Sequence, residues 1–432
     1  MSMPPKHIHF MGIGGSGTSA VAQIASAQGY IVSGCDLQSS TPYLEKLNKQ
    51  NPGITTFRGH DSSHLKGVDL LCVTPAVFYQ NDHHPEVETA RKQGILFTWQ
   101  QFLGQYLHRD KYIISVAGTH GKSTTTALAG VLLEAAGLDP TVEVGATVNL
   151  WHNNVRIGKS RYFISEADEF YDNFSTYNSD VILLTLLEFD HPEYFGTLDN
   201  MLLSFQKFID HLKPDGKVIY NADSPLTSSL KLPPSSVGYH LSDYNSESFP
   251  LTLPGNHNKS NALAVINLAR HLNIPDVVIT SVLSAFTGTG RRMELLGEKN
   301  NIKVYDDYAN HPSSFSATIS AVKQLYPKSR LWAIIEPHTY TRLRVMLSEL
   351  PAAFSQADEV IVSKIFASRE IDPGDFTGAD ISSALHHPHS QYIPKFSDIA
   401  SFIKTEAKSG DIILVMGSGD SYQLSRQILA SL

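Results

Sequence analysis

The sequence predicts an α/β fold in which short buried strands alternate with helices in three successive segments. Short apolar runs, each followed by a stretch of helical character, recur along the 432 residues, and this alternation is typical of parallel sheets covered by helices. Two of the runs end in glycine-rich turns directly before a helix. At ~150 residues per domain the length fits two to four domains.

Composition narrows the class of protein. The chain is 42% hydrophobic and 18% charged, with a net charge of −8 and no long basic run, so nucleic acid is not expected as a main partner. Only Cys35 and Cys72 are present, without metal-type spacing along the chain, which favours a reducing compartment. No segment resembles a signal peptide or a membrane span. We therefore expect a cytoplasmic enzyme that does not bind membranes.

The first segment, residues 1–109, opens with a predicted strand at 7–11 and a glycine-rich turn that contains Gly12, Gly14, Gly15, Ser16 and Gly17. A helix at 18–28 and a strand at 30–34 follow, and Asp36 lies 19 residues beyond Gly17. Taken alone, this pattern indicates a dinucleotide-binding unit with a ribose-binding carboxylate. Because such a fingerprint is weak, a tight turn without any ligand stays an alternative.

The second segment, residues 110–290, carries a phosphate loop after a predicted strand at 112–117. Glycine turns let backbone N–H groups approach phosphate oxygens, a lysine meets the β/γ-phosphates, and the next hydroxyl can ligate Mg²⁺. An ordinary glycine turn is the alternative. The loop residues are Gly118, Thr119, His120, Gly121, Lys122, Ser123 and Thr124.

Acidic residues follow two further strands of this segment. Glu166, Asp168 and Glu169 come after a predicted strand at 161–165, and Asp190 and His191 come after one at 181–187. Ligands of open α/β sheets bind beyond the carboxyl ends of the strands, and carboxylate oxygens suit Mg²⁺. A solvated acidic loop and a structural histidine are the alternatives.

Polar groups also mark the helix predicted from about 258 to 271 and the third segment, residues 291–432. Asn258 could contact adenine or cap the helix, and Arg291 and Arg292 could reach phosphates or simply form a solvated linker. Strands predicted at 302–305, 330–335, 359–363 and 411–416 alternate with helices. Polar clusters at 306–312, 336–342 and 417–421 follow three of these strands, which suggests one shared binding edge.

Taken in order, these motifs resemble the Mur ligase family over residues 12–420. The matching stretches are GTHGKSTT at 118–125, EADE at 166–169, EFDH at 188–191, PGNHNKSNA at 254–262, RR at 291–292, DDYANHP at 306–312, PHTYTR at 337–342 and GSGD at 417–420. The resemblance implies three domains: a Rossmann-like N-terminal domain (1–109), a central P-loop-type ATPase domain (110–290) and a C-terminal Rossmann-like α/β domain (291–432).

The resemblance also implies residue roles. The turn at 12–17 would hold the diphosphate of a UDP-sugar rather than NAD, with Asp36 on uridine or ribose. ATP would lie on the 118–124 loop with Lys122 on its phosphates, Asn258 and Asn261 near adenine, and Arg292 in the same site. Ser123 and Glu166 would ligate Mg²⁺ and His191 a second Mg²⁺. His311, His338 and Arg342 would face the substrate carboxylate and the amino acid, with His311 as the candidate base.

The implied reaction is ATP-dependent ligation of L-alanine to the carboxylate of UDP-N-acetylmuramate through an acyl phosphate, in peptidoglycan precursor synthesis, by a monomer or homodimer. Three departures from the family pattern leave the identity of the amine substrate undecided: Asn310, Leu186 and the stretch at 97–103. The stretch at 97–103 favours a tripeptide over L-alanine. The stretches at 337–342 and 365–370 favour L-alanine. A non-catalytic UDP-sugar or nucleotide sensor is an alternative of another class.

Overall fold

A computed structural model describes residues 6–432 and separates the chain into two compact units. The first unit runs to Glu188 and includes Leu198–Pro250 and Ser260–Thr287. The second comprises Phe189–Thr197, Leu251–Lys259 and Gly288–Leu432. Among the residues described, no helix has both the length and the hydropathy that crossing a bilayer requires.

The first sheet of the first unit has five parallel strands in the order β3-β2-β1-β4-β5. Met11, Cys35, Leu71 and Val87 are among the residues of a core on one face of this sheet. The strands are β1 (His7–Met11), β2 (Ile31–Asp36), β3 (Thr55–Arg58), β4 (Leu70–Val73) and β5 (Leu96–Thr98), and the helices are α1 (Ser16–Ala27), α2 (Pro42–Gln50), α3 (Ala76–Asn81), α4 (Pro85–Gln93) and α5 (Trp99–Phe102).

The second sheet has seven strands in the order β12-β11-β10-β6-β9-β7-β8, and only β8 is antiparallel to its neighbour. Its central strand, β6, therefore has β9 on one side and β10 on the other. The strands are β6 (Tyr112–Ala117), β7 (Thr141–Val148), β8 (Asn153–Arg156), β9 (Tyr162–Glu166), β10 (Val181–Leu184), β11 (Lys217–Asn221) and β12 (Val237–Tyr239). Helices α6 (Lys122–Ala135), α7 (Pro192–Phe195), α8 (Leu198–Asp210), α9 (Asn256–His271) and α10 (Asp276–Ala285) accompany these strands in the chain.

Hydrogen bonds join the second sheet of the first unit to helices α1 and α2. Asn154 on β8 donates its amide to the carbonyl of Ser16 (2.5 Å), at the start of α1. Lys46 of α2 donates to the Thr147 hydroxyl (3.0 Å). These bonds connect helices of the first predicted domain to strands of the second, in keeping with the single compact unit that the two domains form.

The third sheet, in the second unit, has six strands in the order β13-β14-β18-β15-β16-β17, with β13 antiparallel. Side chains of β15 alternate between two cores: Leu331 and Ala333 face one, Trp332 and Ile334 the other. Helices therefore cover both faces of the sheet. The elements are β13 (Glu294–Lys299), β14 (Ile302–Asp307), β15 (Leu331–Ile335), β16 (Glu359–Val362), β17 (Ser390–Tyr392), β18 (Ile412–Met416), α11 (Pro312–Leu325), α12 (Tyr340–Met346), α13 (Leu350–Phe354), α14 (Gly378–Ala384), α15 (Phe396–Glu406) and α16 (Ser421–Ser431).

Most predicted strands agree with the structure to within two residues, but the strand predicted at 181–187 ends at Leu184. Thr185 still donates its N–H to the Ala117 carbonyl (2.9 Å), whereas the Leu186 carbonyl accepts from Thr119 (2.8 Å). The apolar run therefore leaves the sheet and contacts the loop after β6. Periodicity could not show this, because Leu186 and Leu187 continue the same apolar run.

Candidate active site

The loop between β6 and α6 depends on two glycines in left-handed backbone conformations. Gly118 has a φ of +129° and Gly121 a φ of +86°. A Cβ added at Gly118 would lie 2.2 Å from Thr185 Oγ1, and one at Gly121 would lie 2.3 Å from Asn261 Oδ1. Since both positions are strained and crowded for any other residue, the glycines bring the loop backbone close to its neighbours.

The segment after β10 holds this loop in place. The Thr119 hydroxyl donates to the Glu188 carbonyl (2.8 Å) and accepts from the Glu188 N–H (3.0 Å). His120 Nε2 lies 3.0 Å from Glu188 Oε2. The loop leads into α6, at whose N-terminus Ser123 and Thr124 are buried. The N-terminus of a 14-residue helix after such a loop offers backbone N–H groups to a phosphate.

Lys122 is held by acidic and carbonyl oxygens. Its Nζ donates to Glu169 Oε2 (2.7 Å) and to the carbonyl of Gly118 (2.6 Å). Burial alone would lower the pKa of Lys122, but Glu169, Asp168 and Glu166 outweigh it and raise the pKa above its ordinary value. Lys122 therefore stays charged beside the phosphate loop.

More acids than cations surround Lys122. Glu166 Oε1 accepts from the Gly145 N–H (2.7 Å), and the Glu166 N–H donates to Glu143 Oε2 (3.2 Å). Burial, reinforced by the charge of Glu166, raises the pKa of Glu143 well above its ordinary value. Mg²⁺ prefers oxygen ligands and supplies positive charge, and Glu166 offers a carboxylate of that chemistry. The predicted Mg²⁺ site on Glu166 and Ser123 stays a prediction.

The glycine-rich loop after β1 is anchored by Asp36. Asp36 Oδ2 accepts from the Gly14 N–H (2.9 Å), and its Oδ1 accepts from the Gln38 N–H (2.9 Å). A Cβ at Gly14 would lie 2.8 Å from Asp36 Oδ2, and one at Gly17 would lie 2.6 Å from the Trp99 ring. The carboxylate predicted to meet uridine or ribose thus makes hydrogen bonds to the backbone of the loop and of the turn that follows Asp36.

The other residues predicted for the ATP site belong to different units. Asn261, in the first unit, is buried with its Oδ1 against Gly121. Asn258, in the second unit, is also buried, and its amide donates to the Pro254 carbonyl (2.7 Å). Arg292, also in the second unit, lies over the Tyr308 ring, with 4.8 Å between the guanidinium carbon and the ring centre. Their contact with adenine or phosphate stays a prediction.

In the second unit, Arg342 forms a buried ion pair. Its Nε donates to Asp190 Oδ1 (2.8 Å), and its Nη1 lies 3.2 Å from His338 Nδ1. Burial, aided by the charges of Arg342 and Arg369, lowers the pKa of His338 to about 3. His338 is therefore neutral at physiological pH, and Arg342 is held rigidly in place.

His191, predicted as a ligand of a second Mg²⁺, belongs to a second ion network. Its Nδ1 lies 3.2 Å from Glu193 Oε1 and 3.3 Å from Arg369 Nη2. Arg369 also pairs with Glu193. Burial would raise the pKa of Glu193, but His191 and Arg369 hold it at about 2. With a guanidinium beside Nδ1, only Nε2 of His191 fits a metal ligand.

His311 caps helix α11. Its Nδ1 lies 2.8 Å from Ser313 Oγ and accepts from the Ser313 N–H (3.3 Å). A neutral imidazole whose Nδ1 accepts a hydrogen bond carries its proton on Nε2. This arrangement favours donation from Nε2 over proton abstraction, and the role of base stays a prediction. The neighbouring Asn310 donates to the Ser418 hydroxyl (3.0 Å).

Carboxyl groups at the edge of the third sheet are also buried. Burial raises the pKa of Asp306 to about 7, despite Arg291 Nε at 3.3 Å. It likewise raises the pKa of Glu336 to about 7. Arg291 also donates to the carbonyl of Gly417 (2.6 Å), so this arginine joins the start of the third domain to the end of β18.

Several residues of these networks had no role assigned from the sequence. Glu143 is an acid between two valines of an apolar strand, and that interruption of the pattern is a usable signal. Glu169 and Glu188 lie inside recognised motifs, but sequence order did not show which oxygens meet Lys122 and His120. Glu193 and Arg369 are 176 residues apart in the chain, so no local pattern could pair them.

Comparison with known proteins gives a consistent result. Three family models match: "Mur ligase family, catalytic domain" at 7–111, "Mur ligase middle domain" at 116–235 and "Mur ligase, glutamate ligase domain" at 291–419. The chain is 34% identical to a UDP-N-acetylmuramate–L-alanine ligase of Alkaliphilus metalliredigens, over 98% of this chain and 97% of that protein.

Two crystal structures agree over almost the whole chain. A UDP-N-acetylmuramate–alanine ligase of Thermotoga maritima has a TM-score of 0.81 and 27% identity, covering 99% of each chain. A murein peptide ligase of Psychrobacter arcticus has a TM-score of 0.72 and 26% identity, covering 99% of this chain and 98% of that one. The predicted α/β class with three domains is confirmed, and the chain belongs to the Mur ligase family.

Proposed function

We propose that this protein joins L-alanine to the carboxylate of UDP-N-acetylmuramate through an acyl phosphate, with cleavage of ATP to ADP and phosphate, in peptidoglycan precursor synthesis. The observation that carries the proposal is the loop of Gly118–Lys122 with a charged lysine among acids. The 34% identity to alanine ligases supports the choice of substrates. A cytoplasmic location and a monomeric or dimeric state stay predictions.

The first chemical step transfers a phosphoryl group. A substrate carboxylate oxygen bonds to the γ-phosphorus of ATP, the bond from that phosphorus to the β,γ-bridging oxygen breaks, and ADP leaves. Two anions must approach one another, and Lys122 offsets their repulsion at the transferring group. Mg²⁺ on Ser123 and Glu166 would supply further positive charge there.

The second step forms the amide. The neutral amine attacks the acyl carbon, the C–O bond to phosphate breaks, and the amine loses a proton. The family resemblance assigns Arg342 and His338 to the substrate carboxylate and the amino acid, and Asp190 holds the Arg342 guanidinium in a fixed geometry. We assign His311 to this site too, as a donor from Nε2 to an anionic oxygen or, with the other tautomer, as the base.

The remaining assignments combine the geometry of the two loops with the family resemblance. The diphosphate of the UDP-sugar would lie on the backbone of the 12–17 turn, at the N-terminus of α1. The phosphates of ATP would lie on the 118–124 loop at the N-terminus of α6. Asn258, Asn261 and Arg292 are proposed for the adenine and phosphate contacts, and His191 for a second Mg²⁺.

The test is phosphate release with UDP-N-acetylmuramate, ATP and Mg²⁺ across a panel of amines. We expect L-alanine to give the highest kcat/KM, above glycine and L-serine. The family's tripeptide, L-alanyl-γ-D-glutamyl-meso-diaminopimelate, belongs in the same panel. If no amine of the panel supports phosphate release, the ligase proposal is contradicted and the non-catalytic sensor is favoured.

The tripeptide ligase is a second candidate because a murein peptide ligase covers nearly the whole chain at a TM-score of 0.72. The stretch at 97–103, which includes Trp99 against Gly17, also favours it. Turnover dominated by the tripeptide would replace L-alanine in the proposal and leave the phosphoryl step unchanged.

A further inference from the structure

The first unit contains a second cluster of metal-ligating side chains, behind the glycine-rich loop of the first sheet. His9 lies on β1, Cys35 on β2, His64 in the 3₁₀ turn Ser62–Leu65 and Glu86 in the first turn of α4. One ligand atom from each lies within 4.8 Å of every other. No motif of the ligase reaction includes His64 or Glu86.

Burial makes this cluster unusual. His9, Cys35 and Glu86 are all fully buried. A carboxylate without water around it needs a matching charge. Among the described contacts of Glu86, none is with a lysine or an arginine; its neighbours are imidazoles and a thiol. A cation at the centre of the cluster would supply the missing charge.

Unpartnered nitrogens point to a ligand. His9 Nε2 and His64 Nδ1 are buried atoms that make no hydrogen bond. His9 Nε2 is 3.3 Å from Glu86 Oε1, close enough for an ion pair but without hydrogen-bond geometry. The other ring nitrogen of His9 lies 2.8 Å from Ser33 Oγ, which orients the ring and leaves Nε2 for another partner.

The distances fit a tetrahedral ion. Ligand atoms about 2.0–2.3 Å from Zn²⁺ stand about 3.3–3.8 Å apart at tetrahedral corners. From Glu86 Oε1 the observed distances are 3.3 Å to His9 Nε2, 3.7 Å to His64 Nδ1 and 3.6 Å to Cys35 Sγ. The three other ligand atoms therefore lie at tetrahedral spacing from Glu86 Oε1, and all four atoms fall within 4.8 Å of one another.

Neighbouring groups support the same geometry. His60 Nδ1 lies 3.0 Å from Cys35 Sγ, where an N–H would stabilise a thiolate. The His64 ring stacks on Phe57, with 4.6 Å between ring centres. His64 also lines a surface cleft of about 380 Å³, which gives an ion a route to the cluster.

We propose that His9, Cys35, His64 and Glu86 form a structural site for one transition-metal ion of the Zn²⁺ type. A thiolate with two imidazoles selects Zn²⁺ over Mg²⁺, which prefers oxygen ligands. The ion would tie β1, β2 and α4 together. The Cys35 carbonyl accepts from the Gly12 N–H (2.8 Å), so the ion would also support the glycine-rich loop. The proposal does not depend on the ligase reaction.

The test measures metal content and thiolate ligation in the full-length protein. After chelation and addition of Zn²⁺, elemental analysis should find about one tightly held equivalent per chain that excess Mg²⁺ does not displace. Co²⁺ added instead should give a thiolate-to-cobalt absorption band in the near ultraviolet. Absence of a tight equivalent, or metal without this band, would overturn the proposal.

Matched variants locate the site. Cys35→Ser should lose the cobalt–thiolate band, and Cys72→Ser, which changes the other buried cysteine, should keep it. If Cys35→Ser does not fold, His64→Gln at the partly exposed corner decides, with metal affinity expected to fall about tenfold or more. A band that persists in Cys35→Ser, or unchanged affinity in His64→Gln, would contradict the assignment.

Discussion

The two glycine-rich loops of the first unit follow the central strand of their sheets, yet they present different chemistry. The loop after β1 is anchored by a carboxylate: Asp36 accepts from the Gly14 N–H. The loop after β6 is anchored by hydroxyl and backbone groups of Thr185, Thr119 and Glu188 and by the contact of His120 with the Glu188 carboxylate, and it carries the charged Lys122. The first loop offers backbone donors alone, and the second adds the ammonium group of Lys122.

This difference corresponds to two functions, binding a phosphate group and transferring one. Backbone N–H groups at a helix N-terminus bind a diphosphate without changing its reactivity. Phosphoryl transfer also needs positive charge where charge develops in the transition state. Sequence predicts both loops as phosphate sites, and under the proposed function only the loop of Lys122 has a cation for phosphoryl transfer.

The largest expected effect is on Lys122. Lys122→Ala should lower kcat for ligation about 10³-fold, because the cation that stabilises the transferring phosphoryl group is lost. Steady-state phosphate release measures it, and a thermal melt checks the fold. Lys303→Ala, at a half-buried lysine paired with Glu298 on the third sheet, is the matched control and should keep full activity. If Lys122→Ala keeps kcat within about tenfold of the unsubstituted protein, Lys122 does not distinguish the second loop from the first.

The next effect concerns the first loop. Gly14→Ala places a Cβ about where the Asp36 carboxylate lies, 2.8 Å from Oδ2, and breaks the hydrogen bond to the loop. We expect KM for the UDP-sugar to rise about 10–100-fold with kcat little changed. Gly53→Ala is the control, since a Cβ there has nothing within 4 Å. A fall in kcat with unchanged KM would show that this loop, too, acts in the chemical step.

Sequence patterns predicted the strands and the two loops well because both are local. Strand β6 was predicted with its exact bounds, and both glycine turns follow their strands directly. The partners of the functional side chains were harder to predict. Glu169 reaches Lys122 across 47 residues, and Arg342 reaches Asp190 across 152.

Asp36 is a second case in which the sequence did not show the hydrogen-bond partner of a side chain. Its position beyond Gly17 predicted a ribose contact, because sequence spacing places a carboxylate near the loop without showing which hydrogen bond it makes. In the structure its oxygens meet the N–H groups of Gly14 and Gln38. Spacing therefore placed Asp36 beside the loop, and its contact with uridine or ribose stays a prediction.

A smaller effect is expected at Glu169, the acid that holds Lys122. Glu169→Gln keeps an oxygen near Nζ but removes the charge, so kcat should fall about tenfold. Because Glu169 raises the pKa of Lys122, its loss should also move the alkaline limb of the kcat profile to lower pH. The measurement is kcat against pH with saturating substrates.

A control for Glu169 is available in the same unit. Glu134→Gln changes an acid that pairs with Arg156 and not with Lys122. This variant should leave the profile of kcat against pH unchanged. If Glu169→Gln lowers kcat without moving the alkaline limb, Glu169 positions Lys122 without tuning its protonation.

The smallest expected effect decides what Asp36 does in the first loop. Asp36→Asn keeps an oxygen for the Gly14 N–H but weakens that charge-assisted bond, so KM for the UDP-sugar should rise about 2–5-fold. The same variant is then measured with the 2′-deoxyribose form of the UDP-sugar. If Asp36 acts on the loop alone, the fold-change is equal for both substrates, as for independent sites. If the fold-change disappears with the deoxy substrate, Asp36 contacts the ribose hydroxyl, and the carboxylate combines the predicted contact with the observed one.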